Sequence, residues 1–389
     1  MMFSFVENEK SAKIKVVGVG GAGGNAINNM INARLQGAKF IAVNTDAQDL
    51  EASKAPVKIQ IGEMLTEGLG AGANPEIGRQ AALESVDPVR SSLEDSHMVF
   101  ITAGLGGGTG TGAAPVVAEA CKDAGALTVA VVTKPFSFEG KKRARQAEAG
   151  LENLKDVADT VIVIPNDRLR GLASRNATAL EMFKRADEVL LHAVRGITDL
   201  IMMPGLVNLD FSDVRTTMSK AGLAIMGTGI ASGENRAVEA AERAISHPLL
   251  EGVSINGARG VLMNITCGPE LTMAEMTEAS DRISSEVGED ADIIWGTVLD
   301  DNIENELRVT VIATGIGTKE EKDEIRTSGK VRDITPADLT RGVDLDQPTF
   351  IRQEKAVGES GGAQYRGYRG IILDGKDLDV PTFMRRKAD

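Results

Sequence analysis

Between Ile14 and Pro165 short β-branched runs alternate with longer amphipathic stretches, a pattern that predicts a doubly wound α/β domain on a parallel sheet. The expected strands are Ile14 to Val19, Phe40 to Asn44, Met98 to Ala103, Thr128 to Thr133 and Thr160 to Pro165. One long helical pattern then runs from Ala177 to Ile201, with Leu180, Phe183, Leu190, Val194, Ile197 and Ile201 on one face, and Pro204-Gly205 stops it. From Leu206 to Gly317 the pattern predicts strands at Leu223 to Ala231, Gly260 to Thr266, Asp292 to Leu299 and Leu307 to Thr314. Helices at Asn235 to Ser246 and Thr272 to Val287 separate them, so a smaller mixed α/β domain around a four-stranded sheet is expected. Past Thr318 the apolar periodicity ends. The organisation is therefore an N-terminal extension (1–12), a first domain (13–176), a central helix (177–203), a second domain (204–317), a flexible linker (318–370) and a terminal peptide (371–389).

A chain of 389 residues, 42% hydrophobic, is long enough to bury more than one core. Its net charge of −13 argues against nucleic acid or an anionic membrane as the main partner, because those surfaces select basic patches. Nucleotides stay admissible. Cys121 falls in an expected helix and Cys267 in an apolar strand, so both read as buried reduced thiols. His97, His192 and His247 are scattered, and no metal site held by the protein alone is expected. The N-terminal residues lack the charge and apolar core of a signal peptide, and nowhere do about eighteen apolar residues run together. These features predict a cytosolic protein without a transmembrane segment.

The chemistry is announced by glycine. In Gly106-Gly107-Gly108-Thr109-Gly110-Thr111-Gly112 five glycines and two hydroxyls leave mainly backbone amides to face a ligand. The run follows an apolar strand and precedes a helix read from Ala113 with Pro115 near its start, the place where unpaired amides and the helix dipole favour an anion. A second turn, Gly18-Val19-Gly20-Gly21-Ala22-Gly23, fits G-x-G-x-x-G, and Asp46 ends the next strand, which taken alone reads as a dinucleotide-binding unit. A third, Gly68-Leu69-Gly70-Ala71-Gly72-Ala73-Asn74-Pro75, makes one polyphosphate held from several sides the better reading. No G-x-x-x-x-G-K-[ST] occurs, so a Walker-type NTPase is disfavoured.

This set of turns, with Asn44-Thr45-Asp46, Pro135-Phe136, Glu139-Gly140-Lys141-Lys142-Arg143, Pro165-Asn166-Asp167, Asn208-Leu209-Asp210-Phe211-Ser212-Asp213 and Leu378-Asp379-Val380-Pro381-Thr382-Phe383, resembles the tubulin-like cell-division GTPases of the FtsZ family. The resemblance covers residues from about 13 to 317 and the last dozen or so. It implies GTP or GDP with Mg²⁺, the phosphates being held by Gly21, Ala22, Gly23, Gly24 and Asn25 and by Gly108, Thr109 and Gly110. Gly20, Asn44, Asp46, Gly106, Gly107, Thr111 and Pro135 complete the nucleotide set, and Ala71, Gly72 and Ala73 fall near the γ-phosphate. Glu139 and Arg143 would contact the ribose, Asn166 and Asp187 would read guanine, and Phe183 would lie against the base. The residues alone leave plainer readings open: Glu139 and Arg143 as an i,i+4 surface pair, Asp187 as a solvated helix residue, Phe183 as core.

Asn208, Asp210 and Asp213 follow the long helix, and an Asp there is also a natural N-cap. As catalytic groups they would orient and polarise a water for attack on the γ-phosphate. A straight helix over Ala177 to Ile201 is roughly 36 Å long, so acids beyond its far end cannot reach a nucleotide held at its start. They would serve a neighbouring copy, which is also what the family resemblance implies. Such a head-to-tail contact joins unlike surfaces and generates open filaments.

In the tail, Asp344 to Arg352 recurs as Asp377 to Arg385, identical at seven of nine positions. Apolar anchors and flanking charges on a flexible tether suit a peptide that docks in a partner's groove. By resemblance the terminal copy recruits membrane-tethering and regulatory division proteins to the division site beneath the inner membrane; the first copy lies outside the family pattern. Two other classes stay open from the residues: an NAD(P)-dependent oxidoreductase, and a nucleotide-sensing scaffold without turnover.

Overall fold

Strand β1 (Ile14–Val19) is buried at every position but Lys15, the near-continuous apolar run of a strand covered on both faces. The computed structural model describes residues 12–172, 177–203, 205–207, 209–219, 222–250, 255–288, 291–300, 303, 305–316, 372–373 and 376–377. It divides into two units, Met1–Lys322 and Asp323–Asp389. In the first, β1 is followed by α1 (Gly20–Asn32), β2 (Ala38–Asn44), α2 (Ala47–Ala52), β3 (Val57–Gln60), α3 (Glu63–Thr66), α4 (Pro75–Glu84) and α5 (Val86–Leu93). Next come β4 (Met98–Gly104), α6 (Thr109–Asp123), β5 (Leu127–Lys134), α7 (Lys141–Val157), β6 (Thr160–Pro165), α8 (Asn166–Leu169) and α9 (Ala179–Met202). The remainder is α10 (Phe211–Met218), β7 (Gly222–Ser232), α11 (Arg236–Ile245), β8 (Gly260–Cys267), α12 (Met273–Ser284), β9 (Asp292–Leu299) and β10 (Glu306–Thr314). In the second unit β11 (Ile372–Leu373) pairs antiparallel with β12 (Lys376–Asp377).

The strand order is β3-β2-β1-β4-β5-β6-β7-β10-β8-β9. Neighbours from β3 to β7 are parallel, β10 runs antiparallel to β7 and β8, and β8 is parallel to β9. The second region therefore does not form a separate sheet: its four strands extend the first. The join is short. Thr160, Val161 and Ile162 of β6 pair with Gly222, Leu223 and Ala224 of β7, and Thr160 Oγ1 donates to Met218 O at 2.5 Å.

Helix α9 begins with a reciprocal cap, Thr178 Oγ1 accepting from Glu181 N at 3.3 Å and Glu181 Oε2 from Thr178 N at 2.7 Å. It ends where Met203, the residue before Pro204, turns extended (φ −93°, ψ 140°). Its buried face is Met182, Ala186, Leu190, Val194 and Ile197; Leu180, expected on that face, is exposed, and Phe183 is half-exposed. One core cluster wraps α9 with residues of β1, β4, β5, β7 and β8, so the helix packs on both halves of the sheet. Two further clusters cover the sheet's other face, around α4, α6 and α7 and around α11 and α12.

Helix α6 starts at Thr109, four residues ahead of the expected Ala113. Gly110, Thr111 and Gly112 thus belong to its first turns and Pro115 lies inside it, removing the amide that would have paired with Thr111 O. Cys121 and Cys267 are free and buried, and desolvation raises both thiol pKa values.

Candidate functional site

Six parallel strands in the order 3-2-1-4-5-6 place a topological switch between β1 and β4, and ligands of open α/β sheets bind beyond the carboxyl ends of the strands at such a point. A cavity of about 280 Å³ lies there. Its floor is the start of α1 (Gly20, Gly21, Ala22) and the turn from β4 into α6 (Gly104, Leu105, Gly107, Gly108, Thr109, Gly110). Gly20 adopts a left-handed φ of 72°, and a Cβ there would stand 2.9 Å from Gly110 N, so the two turns meet backbone to backbone. Two helix N-termini are thereby aimed at one cavity, each with unpaired amides and the positive end of its dipole.

The third glycine turn is folded against the second. A Cβ on Gly108 would come 2.8 Å from Ala71 Cβ, and Gln146 Nε2 donates to Ala73 O at 3.1 Å. Ala73 has φ 56°, a left-handed conformation uncommon outside glycine. Ala47 N donates to Gly68 O and Gly70 N to Thr45 O, tying this turn to the end of β2. There Asp46 caps α2 by accepting from Gln48 N and Asp49 N, and Asn44 Oδ1 accepts from Asp46 N at 3.3 Å. Thr45 Oγ1 lies 2.6 Å from Thr109 Oγ1, joining β2 to the head of α6.

The other wall is side chains. Pro135, Glu139, Arg143, Asn166, Phe183 and Asp187 all line the cavity, together with Thr133, Ala186 and Leu190. Glu139 Oε1 accepts from Phe136 N at 2.9 Å while Oε2 pairs with Arg143 Nη1 at 2.5 Å, so the i,i+4 pair exists and is part of the wall. Asn166 is 5% exposed, and its Oδ1 is buried without a hydrogen-bond partner. Burial, with the Glu188 carboxylate beside it, pushes the Asp187 pKa up to about 6. Phe136 stacks on Phe138 (centroids 5.1 Å apart) and meets the edge of Phe183 (5.4 Å), which holds the Phe183 ring at the cavity mouth.

Of the expected nucleotide residues, Gly20, Gly21, Ala22, Gly107, Gly108, Thr109, Gly110, Pro135, Glu139, Arg143, Asn166, Phe183 and Asp187 share this cavity. Gly24, Asn25 and Asn44 line a smaller hollow of about 50 Å³ that shares Gly20 and Gly21. Gly23 packs beneath α1 against β1 and β4, and Thr111 Oγ1 accepts from Gly106 N at 2.8 Å, bracing the α6 turn from inside. Asp46, Ala71 and Ala73 are not among the lining residues and make the contacts given above, and Gly72, between the two alanines, is exposed. Asp210 and Asp213 are not among the lining residues: Asp210 caps α10, with Ser212 N donating to its Oδ1 at 3.2 Å, and Asp213 sits in that helix's first turn. Asn208 lies outside the described residues, as do the first tail repeat and all of the second except Asp377. The sequence did not single out Phe138, which lies between two of the motifs, or a role for Asp167, which lies inside one.

Comparison with known proteins agrees with this geometry. Residues 13–174 match the GTPase domain of the Tubulin/FtsZ family, and residues 222–317 match the C-terminal domain of the FtsZ family. The chain is 50% identical over 361 residues to the cell division protein FtsZ of Coxiella burnetii, covering 91% of this chain and 92% of that one. Its structure is similar to a solved empty FtsZ dimer of M. jannaschii, with TM-score 0.76 and 50% identity over 79% of this chain and 89% of that chain. CetZ2 of Haloferax volcanii, solved as a GTPγS-bound protofilament, shares the fold at TM-score 0.69 and 22% identity, over 81% and 97% of the two chains. A switch-point cavity floored by amides, a matching GTPase domain and half-identical relatives along nearly the whole length carry the same conclusion: this chain belongs to the FtsZ family of tubulin-like cell-division GTPases and binds guanine nucleotide.

Proposed function

We propose that the chain is an assembly-dependent GTPase that stacks head to tail, each copy holding GTP that the acids of the next copy help to hydrolyse. The observation that carries this reading is the placement of α9. Asp187 lines the cavity, whereas Asp210 lies beyond the helix's other end. The fifteen residues from Asp187 to Met202 alone cover roughly 22 Å at 1.5 Å per residue. Asp210 and Asp213, and Asn208 between the two helices, therefore act on a nucleotide from which their own pocket is remote, and a neighbouring copy supplies the geometry. Phe138 and Leu180, beside the lining residues Glu139 and Phe183, are exposed apolar side chains at the mouth and suit burial under that neighbour.

Within the pocket the triphosphate lies over the amides of Gly20 to Ala22 and Gly107 to Gly110, backed by the turn carrying Ala71, Gly72 and Ala73. The ribose meets Glu139 and Arg143, and Phe183 covers the base. Asn166 Oδ1 and the Asp187 carboxylate are both acceptors; they match the ring and exocyclic N–H groups of guanine and not the acceptor at the corresponding ring position of adenine. Mg²⁺, when carried in with the nucleotide, would supply charge neutralisation at the phosphates. The Thr109 hydroxyl, beside Thr45 at the head of α6, would be the group this chain offers to a cation carried mainly by phosphate and water. The acids contribute by holding the attacking water in line and polarising it, their carboxylates accepting from its O–H. Asp377 to Arg385 recruits membrane-tethering and regulatory proteins, which places the filament in the cytoplasm at the division site.

The test is complementation. An Asp210→Ala/Asp213→Ala variant that binds GTP and an Asn166→Ala/Asp187→Ala variant that does not are each inactive alone. Mixed, they form junctions that pair an intact pocket with intact acids, and phosphate release returns. A mixture as inactive as its parts, or a wild-type rate per subunit independent of concentration, overturns the reading.

A further inference from the structure

Two loops build the nucleoside wall, and one side chain fastens them together. Glu139 belongs to the connection from β5 to α7 and Arg143 to the first turn of α7; Asn166 belongs to the start of α8 after β6. Ser137 N donates to Asp167 Oδ1 at 3.0 Å and to Oδ2 at 3.1 Å, and Ser137 Oγ donates to Oδ1 at 3.0 Å. Asp167 is the residue after Asn166, and Ser137 opens the single 3₁₀ turn, Ser137–Glu139, that ends on Glu139. Phe136, preceding Ser137, gives its N–H to Glu139 and its ring to Phe183. We propose that Asp167 is a positioning residue for the nucleoside half of the substrate, setting the distance between the guanine contact Asn166 and the ribose contacts Glu139 and Arg143. This rests on the orientation of GTP given above.

The chemistry favours a carboxylate at this point. Both oxygens converge on one backbone N–H and one of them also takes the neighbouring hydroxyl, an arrangement a carboxamide reproduces on one side only because its other end is a donor. Among the described residues nothing comparable links the Asp167 side chain to the phosphate floor: its partner Ser137 lies in the connection from β5 to α7, and the amides of α1 and α6 meet through the contact between Gly20 and Gly110. Loss of the clamp should therefore loosen the grip on base and ribose and spare the grip on phosphate.

Full-length Asp167→Ala, Asp167→Asn and Asn166→Ala chains, compared with the parent, decide the matter through two measurements: the KM and kcat for GTP under assembly conditions, and the inhibition constant of tripolyphosphate, which has phosphates and no nucleoside. For Asp167→Ala the expected result is a KM raised roughly tenfold, with the larger share of the loss in KM and not in kcat, and a tripolyphosphate constant within twofold of the parent. Asp167→Asn should fall between the two. If Asn166→Ala weakens GTP and Asp167→Ala does not, the clamp is wrong while the orientation stands. If Asn166→Ala has no effect either, the orientation itself is wrong. A parallel loss of tripolyphosphate and GTP binding in Asp167→Ala marks general damage to the fold and overturns the positioning role.

Discussion

Helix α9 carries two aspartates whose pKa values are both pushed up to about 6, Asp187 near its start and Asp199 near its end, yet their neighbourhoods differ. Burial is the main cause at each. Around Asp199 the Arg195 and Arg308 guanidiniums oppose the shift and the Asp300 carboxylate adds to it, within a cleft of about 380 Å³ lined by α9, β8, β9, β10 and the turn after α1. Around Asp187 the charged neighbour that shifts it is Glu188, another acid. Asp199 has its counter-charge built in. Asp187 is half-buried at a cavity wall with its compensation left to whatever enters, which in the proposed orientation of GTP is the N–H edge of guanine. Equal titration thus reports opposite purposes, and the deciding observation is the company each group keeps.

The largest expected disruption leaves α9 untouched. In Gly110→Ala the new methyl would stand 2.5 Å from Gly104 O, forcing the α6 turn off the floor, and GTP affinity measured by calorimetry should fall more than about a hundredfold while strain costs about 1–3 kcal/mol of stability. The next effect is specific to Asp187. Asp187→Asn should lower GTP affinity roughly thirtyfold, the scale of losing a charged hydrogen-bond partner, and reduce the preference for GTP over ATP in competition. In the parent, affinity should decline as pH falls below about 6, approaching about tenfold per unit, because the protonated carboxyl no longer accepts from both base N–H groups; in Asp187→Asn that slope should vanish.

Stability without nucleotide separates the pair most finely. For a carboxyl whose folded pKa is raised, the folded chain binds the proton more tightly than the unfolded one, so its contribution is greatest below about pH 4 and is lost as pH rises towards 6. Either Asn substitution should therefore raise the urea midpoint at pH 7, by roughly 1–3 kcal/mol in unfolding free energy. Only Asp199→Asn should do so with GTP affinity within twofold of the parent. A loss of GTP binding in Asp199→Asn would mean that the two ends of α9 are coupled and would undo the comparison.

Most strands and α9 were legible because their signals are local: β-branched runs between glycine turns, and a periodic face that Pro204-Gly205 brings to an end. The pocket was legible through its amides, since three glycine turns at strand ends leave few other readings. What the sequence hid is what depends on distant segments. Six paired residues across β6 and β7 merge two expected sheets into one, and no local pattern in Thr160 to Ile162 or Gly222 to Ala224 announces that pairing. The start of α6 was misread because glycines favour turns; packing of α6 against α4 and α7 overrides their weak helix propensity. Leu180 and Phe183 looked like core by spacing, but the helix is rotated so that Met182 and Ala186 face inward and the aromatic ring is left for the cavity mouth. Asp167 could not be read as a clamp, because its partner is thirty residues away.

The union of β6 with β7 has a mechanical consequence. Where β7 and β10 share nine rungs, β6 and β7 share three. A sheet that must yield does so at its narrowest seam, and α9, glued to both panels, is the batten across it. Swivelling one panel against the other would break few backbone bonds there; what opposes it is the greasy contact along α9 together with scattered ties such as Thr160 Oγ1 to Met218 O and Arg168 Nη1 to Pro248 O.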